Sequence, residues 1–225
     1  ATATASKSAC PSPDDYMKSF EGADNIFVVT ITGTLSGSYN SAEVAKKIYL
    51  EEHPDTKIHV IDSLSAGGEV DLLVRKLNHL VAEGLEFDQV LDAITAYQTK
   101  TKLLFVLAKV DNLVKNGRLS KLVGTVVGLL NIRMVGEASK TGTLELLQKA
   151  RGQKKAIKAA FDELIKAGYT GGHITIAHRN NEKFIEQFSE LVREKFAQAS
   201  IEVLPTSGLC SFYAEEGGLL MGYEI

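Results

Sequence analysis

Ser36 and Ser38, set in the run Gly33-Thr34-Leu35-Ser36-Gly37-Ser38, are the side chains in this sequence most suited to holding a ligand. A short apolar, β-branched run, Ile26-Phe27-Val28-Val29-Thr30-Ile31, leads into them. Beyond them Tyr39, Ala42, Ala45, Ile48 and Tyr49 repeat at the three-and-four spacing of one buried helix face. A strand that turns through glycine and serine into a helix sets unpaired helix N–H groups beside several hydroxyls. Such a corner suits a phosphate or a carboxylate, with Ser36, Gly37 and Ser38 as the donors. Many corners of this kind bind nothing, and the residues alone leave both readings open. No Gly-Lys-Ser/Thr follows and the glycine spacing is wrong for a dinucleotide fingerprint, which excludes both nucleotide motifs.

A second polar corner follows the next apolar run. Asp62-Ser63 closes that strand and precedes Ser65-Ala66-Gly67-Gly68, at the carboxyl end where open α/β sheets bind ligands. Ser63, Ser65, Gly67 and Gly68 are therefore candidates for a crevice wall. Asp62 reads as a metal-binding acid or, more commonly for its type, a helix cap. No Cys/His cluster has metal-ligand spacing. The five histidines are scattered; His178 ends a strand, a place shared by structural and site residues. Ser36 as a nucleophile would make a hydrolase or transferase, but that alternative needs a base and no histidine follows in a recognisable arrangement. The run Leu119-Ser120-Lys121-Leu122-Val123-Gly124-Thr125-Val126-Val127-Gly128-Leu129-Leu130-Asn131-Ile132 is apolar nearly all round. It is either a core helix packing through its glycines or one wall of a long hydrophobic pocket, with Leu122 and Val126 facing the chain. An apolar pocket whose mouth holds hydroxyls and a helix N-terminus fits an amphiphile with an acidic head.

The elements that position these residues alternate. Strands are expected over 26–31, 57–61, 103–108, 132–137, 143–147, 173–177, 201–204 and 219–223, with amphipathic helices between several of them. Such alternation means helices covering a largely parallel sheet; a hairpin around Lys140-Thr141-Gly142 makes the second sheet mixed. We expect two α/β lobes, 1–100 with a parallel sheet and 101–225 with a mixed one, and a ligand tunnel between them. The 225 residues carry a formal charge of −3 with the signs interspersed, which gives no nucleic-acid surface. No apolar run spans a bilayer and the first residues lack the apolar middle of a signal peptide. Cys10 and Cys210 read as free thiols of a cytoplasmic chain, with a disulfide as the alternative.

Several blocks resemble the DegV family, bacterial fatty-acid-binding proteins. Thr34-Leu35-Ser36-Gly37-Ser38-Tyr39-Asn40-Ser41-Ala42 resembles its LSGTYQSA block, and Ser8-Ala9-Cys10-Pro11-Ser12-Pro13 its TSQPSP. Val60-Ile61-Asp62-Ser63 with Ser65 and Gly67-Gly68 is similar to VIDS…SGG. Val114-Lys115-Asn116-Gly117-Arg118-Leu119-Ser120-Lys121 resembles the LxKGGRISK block, Leu129-Leu130-Asn131-Ile132-Arg133 resembles LLNIK, and Lys149-Ala150-Arg151-Gly152-Gln153-Lys154-Lys155-Ala156 resembles KxRxxKKA. The six blocks occur in the family's order from about residue 8 to the end.

The resemblance implies one long-chain fatty acid bound between two α/β domains and no other cofactor. It implies a carrier, not an enzyme, that presents the carboxylate to a separate fatty acid kinase, whose acyl phosphate product feeds phospholipid synthesis. Carried over, the carboxylate contacts are Ser8 and Ser36, and Arg118 and Arg151 lie at the tunnel mouth toward the partner and the phosphate. A structural or regulatory role with a passenger lipid is the third reading. The family's C-terminal histidine is Tyr213 here, a phenol in place of an imidazole. The family also begins roughly 60 residues earlier, so the first lobe is expected to lack a strand and a helix.

Overall fold

The computed structural model describes residues 6, 8–119 and 131–225. Strands β1 (Asn25–Thr30) and β2 (Lys57–Asp62) pair in parallel from Asn25↔Lys57 to Thr30↔Asp62, so both end at the same level. Helix α1 (Pro13–Phe20) precedes them. It is started by a capping box in which Ser12 and Asp15 satisfy each other's backbone N–H groups. Helix α2 (Ser38–Glu52) links the strands and packs Ala45 against Phe20 and Ile58. Helices α3 (Gly68–Ala82) and α4 (Phe87–Gln98) cover the other face, where Leu73, Leu77, Leu80, Val90 and Ile94 bury Ile61.

The second sheet has the order β5-β4-β3-β8-β6-β7. Its strands are β3 (Thr101–Leu107), β4 (Ile132–Ala138), β5 (Leu144–Arg151), β6 (His173–His178), β7 (Ser200–Pro205) and β8 (Leu219–Glu224). It is mixed as expected, but only β6 and β7 run parallel; the other four pairings are antiparallel. The largely parallel layer implied by strand–helix alternation fails here because two strands run against the other four: β4, between β3 and β5, and the last strand, β8, between β3 and β6.

Side chains alternate across β3 with period two. Leu104 and Val106 join the core under α6 (Gln153–Lys166) and α7 (Glu182–Lys195). Phe105 and Leu107 point the opposite way, into a smaller cluster with Leu113 of α5 (Asp111–Lys115) and Tyr213 of α8 (Gly208–Ala214). That second face is the one turned toward the first lobe.

Helix α3 joins the lobes by backbone-on-backbone contact. A methyl group at Gly68 would overlap the Thr175 carbonyl, and one at Gly222 would overlap the Glu69 N–H, so only hydrogen fits at either position. Two turns further on, Arg75 donates to Asp71 (2.6 Å) on its own helix and to Glu202 (2.7 Å) on β7. Glu69, buried at this junction, accepts from the Thr101 hydroxyl at 2.8 Å. Burial raises its carboxyl above the ordinary range, against the pull of hydrogen bonds from Ser65 and Thr101.

Candidate functional site

The end of β1 is tied to the end of β2 by one carboxylate. Asp62 accepts from the Gly33 N–H (3.2 and 3.1 Å to its two oxygens) and from the Leu64 N–H (2.9 Å). It therefore caps two loops. The Thr32 N–H donates to the Ser65 carbonyl at 2.8 Å and fastens the two corners side by side. The Ser63 hydroxyl bonds both ways to the Ser65 backbone, accepting from its N–H at 3.1 Å and donating to its carbonyl at 3.2 Å; neither bond uses the Ser65 hydroxyl. In the first corner the Ser36 and Ser38 hydroxyls are 2.9 Å apart and the Ser38 N–H donates to Ser36 Oγ at 3.2 Å. Gly37 is the N-cap of the 15-residue α2; no side chain caps it and no acidic residue occupies the first turn. Its free N–H groups and positive dipole end thus open beside two hydroxyls.

The segment before α1 lies across this helix end. The Ser41 hydroxyl donates to the Pro11 carbonyl at 2.7 Å, and the Cys10 sulfur sits 3.1 Å from where a Cβ of Gly37 would be. Only a glycine or a small displacement admits this approach. Ser8 and Cys10 are thereby brought to the same opening as Ser36 and Ser38.

From that corner a cavity of about 510 Å³ runs between the lobes. Ser8, Cys10, Ser36, Gly37 and Ser38 line its polar end. Its walls are Ile31, Leu35 and Ala66 from the first lobe and Phe105, Leu107, Leu113, Leu144, Leu209 and Leu220 from the second. The volume lies in the range of small-molecule sites, and the lining has the usual pattern of apolar walls with few polar groups. Arg118 and Tyr213 join the two sets. Arg118 Nε donates to the Leu35 carbonyl at 2.9 Å, and its guanidinium lies 5.0 Å from the centre of the Tyr213 ring. Among the described residues the buried Tyr213 hydroxyl has no hydrogen-bond partner, a costly state for a phenol.

Ser8, Ser36, Gly37, Ser38 and Tyr213, expected around the carboxylate, all line this one cavity. The expected crevice residues divide. Ser63 faces a separate polar cavity of about 1010 Å³ with Asp62, Glu69 and Glu137. Ser65, Gly67 and Gly68 stand behind the wall, where Gly67 (φ +58°) backs directly onto Leu220, and Ala66 between them is the residue that lines. Leu122 and Val126 lie outside the described residues. Arg118, expected to face a partner, is part of the cavity wall; Arg151 is exposed at the end of β5, away from it.

Sequence reasoning missed Phe105, Leu107, Leu144 and Leu220. Periodicity marked them as apolar strand residues, but which of two buried faces met the other lobe was not readable from it. None of the five histidines lines the cavity, so Ser36 has no imidazole base there. Among the described residues no group of His, Cys, Asp or Glu could hold a metal ion, and no helix is long and apolar enough to cross a membrane.

The fold and site together define a two-lobed α/β protein whose apolar-walled cavity also takes in hydroxyls beside a helix N-terminus. The model of the DegV family, described as an uncharacterised protein family, matches residues 1–223, and the chain belongs to that family. A DegV domain-containing protein of Streptococcus pneumoniae is 79% identical over 225 residues, spanning all of this chain and 80% of the relative. Among solved structures, the S. pneumoniae fatty acid kinase B3 protein loaded with linoleic acid superposes with a TM-score of 0.97 at 79% identity. That match covers 100% of this chain and 80% of the other. A DegV family protein from Eubacterium eligens loaded with heptadecanoic acid gives 0.94 at 40% identity, covering 99% and 81%.

Proposed function

We propose that this protein carries one long-chain fatty acid in the interlobe cavity and presents its carboxylate, at the Ser36 corner, to a partner kinase. The observation that carries the reading is the pairing of an apolar cavity with an uncapped, hydroxyl-flanked helix N-terminus at one end. Each buried CH₂ contributes about 0.8 kcal/mol, so an acyl chain of about sixteen carbons gains on the order of 12 kcal/mol. Association and chain ordering consume much of that gain. The carboxylate alone would lose its hydration on entering such a site, a cost that three or four donors offset. Ser8, Ser36, Ser38, the free N–H groups of α2 and the Tyr213 phenol are those donors. The relatives loaded with linoleic and heptadecanoic acid support the ligand class, and the kinase name of one supports the partner.

Arg151, with Lys154 and Lys155 just beyond it, offers positive charge outside the cavity, where a phosphoryl donor and its enzyme would approach. The test is a coupled reaction. Delipidated protein is loaded with radiolabelled hexadecanoate and mixed with a bacterial fatty acid kinase and ATP. Carrier-dependent acyl phosphate is the expected product; tight binding without phosphorylation would leave a lipid-binding protein with no kinase partner of this type.

A further inference from the structure

The hairpin that turns β4 into β5 has no part in the carrier reading, yet its tip reaches the first lobe. One side chain knits the turn. The Ser139 hydroxyl accepts from the Thr141 N–H (3.2 Å) and the Thr143 N–H (3.1 Å), and the Ser139 N–H donates to the Thr143 carbonyl at 2.8 Å. Such bonds hold the turn in one shape. Gly142, at the tip, has a φ of +77°. A methyl group there would overlap the Thr32 hydroxyl and come within 3.1 Å of the Leu64 Cα. The tip therefore abuts the loops that follow both β1 and β2.

The contact continues into the Ser36 corner. The Thr34 hydroxyl donates to the Gly142 carbonyl at 2.6 Å. The Thr32 hydroxyl lies 3.0 Å from that of Thr34 and accepts from the Thr34 N–H at 3.3 Å. Thr32 is buried and forms the root of the corner, its carbonyl accepting from the Leu35 N–H (3.1 Å) and the Ser36 N–H (3.3 Å). Leu35 is tied in turn by Arg118, whose Nε donates to its carbonyl. The two residues just before Ser36 are thus each hydrogen-bonded to the second lobe, although the corner belongs to the first.

We propose that Thr34 and Gly142 are positioning residues for the ligand's acid head: the hairpin tip, acting through the Thr34 hydroxyl, fixes the loop that presents Ser36. The inference rests on the reading that places the carboxylate at this corner. Ordering a loop costs conformational entropy, and ties already in place before the ligand arrives remove that cost from binding. A carboxylate needs its donors at set distances and angles, whereas burial of an acyl chain is non-directional. The contribution of Thr34 and Gly142 therefore falls on the head group. A contact that only held the lobes together would act on head and chain alike.

The test compares two ligands with one chain, radiolabelled hexadecanoate and hexadecanol, each partitioned between delipidated protein and phosphatidylcholine vesicles. Thr34→Val keeps the side chain's shape at an exposed position and removes the donor. It should weaken hexadecanoate about threefold to tenfold and leave hexadecanol within about twofold. Thr34→Ser, which retains the hydroxyl, should restore hexadecanoate binding. Gly142→Ala, which pushes the tip off Thr32, should reproduce the selective loss. Equal losses for the two ligands in Thr34→Val, unchanged hexadecanoate affinity, or a serine variant no better than valine would each overturn the positioning role. Ser36→Ala, measured alongside, separates the two readings. If it weakens hexadecanoate while Thr34→Val does not, only this inference fails; if neither does, the carboxylate is not at this corner and that reading fails with it.

Discussion

Replacing Ser36 by alanine removes one hydroxyl from the corner where the carboxylate is held. That hydroxyl pairs with Ser38 Oγ at 2.9 Å and accepts from the Ser38 N–H at 3.2 Å. A hydrogen bond to a charged group contributes about 1.5–3 kcal/mol. The change also frees the Ser38 N–H and hydroxyl, which then turn to the ligand and offset part of the loss. The net cost therefore falls near the lower end, about 1.5–2 kcal/mol, or roughly a tenfold to thirtyfold weaker Kd. Calorimetric titration of delipidated protein with hexadecanoate measures it. Ser36→Ala with Ser38→Ala should cost more than the sum of the single changes, because each single variant leaves the other hydroxyl free to substitute. Wild-type affinity in Ser36→Ala, with additive behaviour in the double variant, would refute a carboxylate at this corner.

Tyr213→Phe deletes a buried hydroxyl that lacks a partner, so the ligand-free protein should hold or gain stability while fatty-acid affinity falls severalfold; thermal melts with and without hexadecanoate separate the two effects. Gly222→Ala places a methyl group against the Glu69 N–H and should destabilise by about 1–3 kcal/mol, lowering Tm by several degrees. Glu69 is buried with its carboxyl pKa raised, so its ionisation opposes folding. Relative to Glu69→Gln, the wild type should lose stability as pH rises from the unfolded carboxyl pKa, near 4, to the raised folded value, and level off above it; denaturant melts across that range check the sign. Arg118→Ala removes both the bond to the Leu35 carbonyl and the cover over the Tyr213 ring, and should weaken fatty-acid binding, whereas Arg151→Ala should spare binding and slow kinase turnover in a salt-dependent way.

The polar end of the site was legible because it is local. Gly33 to Ser38 is one strand-to-helix turn, and the chemistry of such a turn is carried by its own backbone and hydroxyls. At the second corner the residues named from the sequence do not line this cavity. Ser63 is polar because its hydroxyl bonds the loop backbone, and Gly67 and Gly68 are small because they pack against Leu220 and the Thr175 carbonyl, while the unremarkable Ala66 faces the cavity. The walls were least legible. Phe105 and Leu107 sit in an apolar run, and only the pairing of β3 with β4 and β8 decides which alternate side chains meet the first lobe. The antiparallel insertion of β8 has the same origin, since its pairing with β3 joins residues more than a hundred positions apart.

The account stands most directly on what the cavity contains. Native mass spectrometry of the protein as purified, followed by denaturation and lipid analysis of the released small molecule, measures this in one experiment. One fatty acid of about sixteen to eighteen carbons per chain, within reach of a cavity of about 510 Å³, is the expected result. A protein that emerges empty and stays empty when oleate or hexadecanoate is added would contradict it.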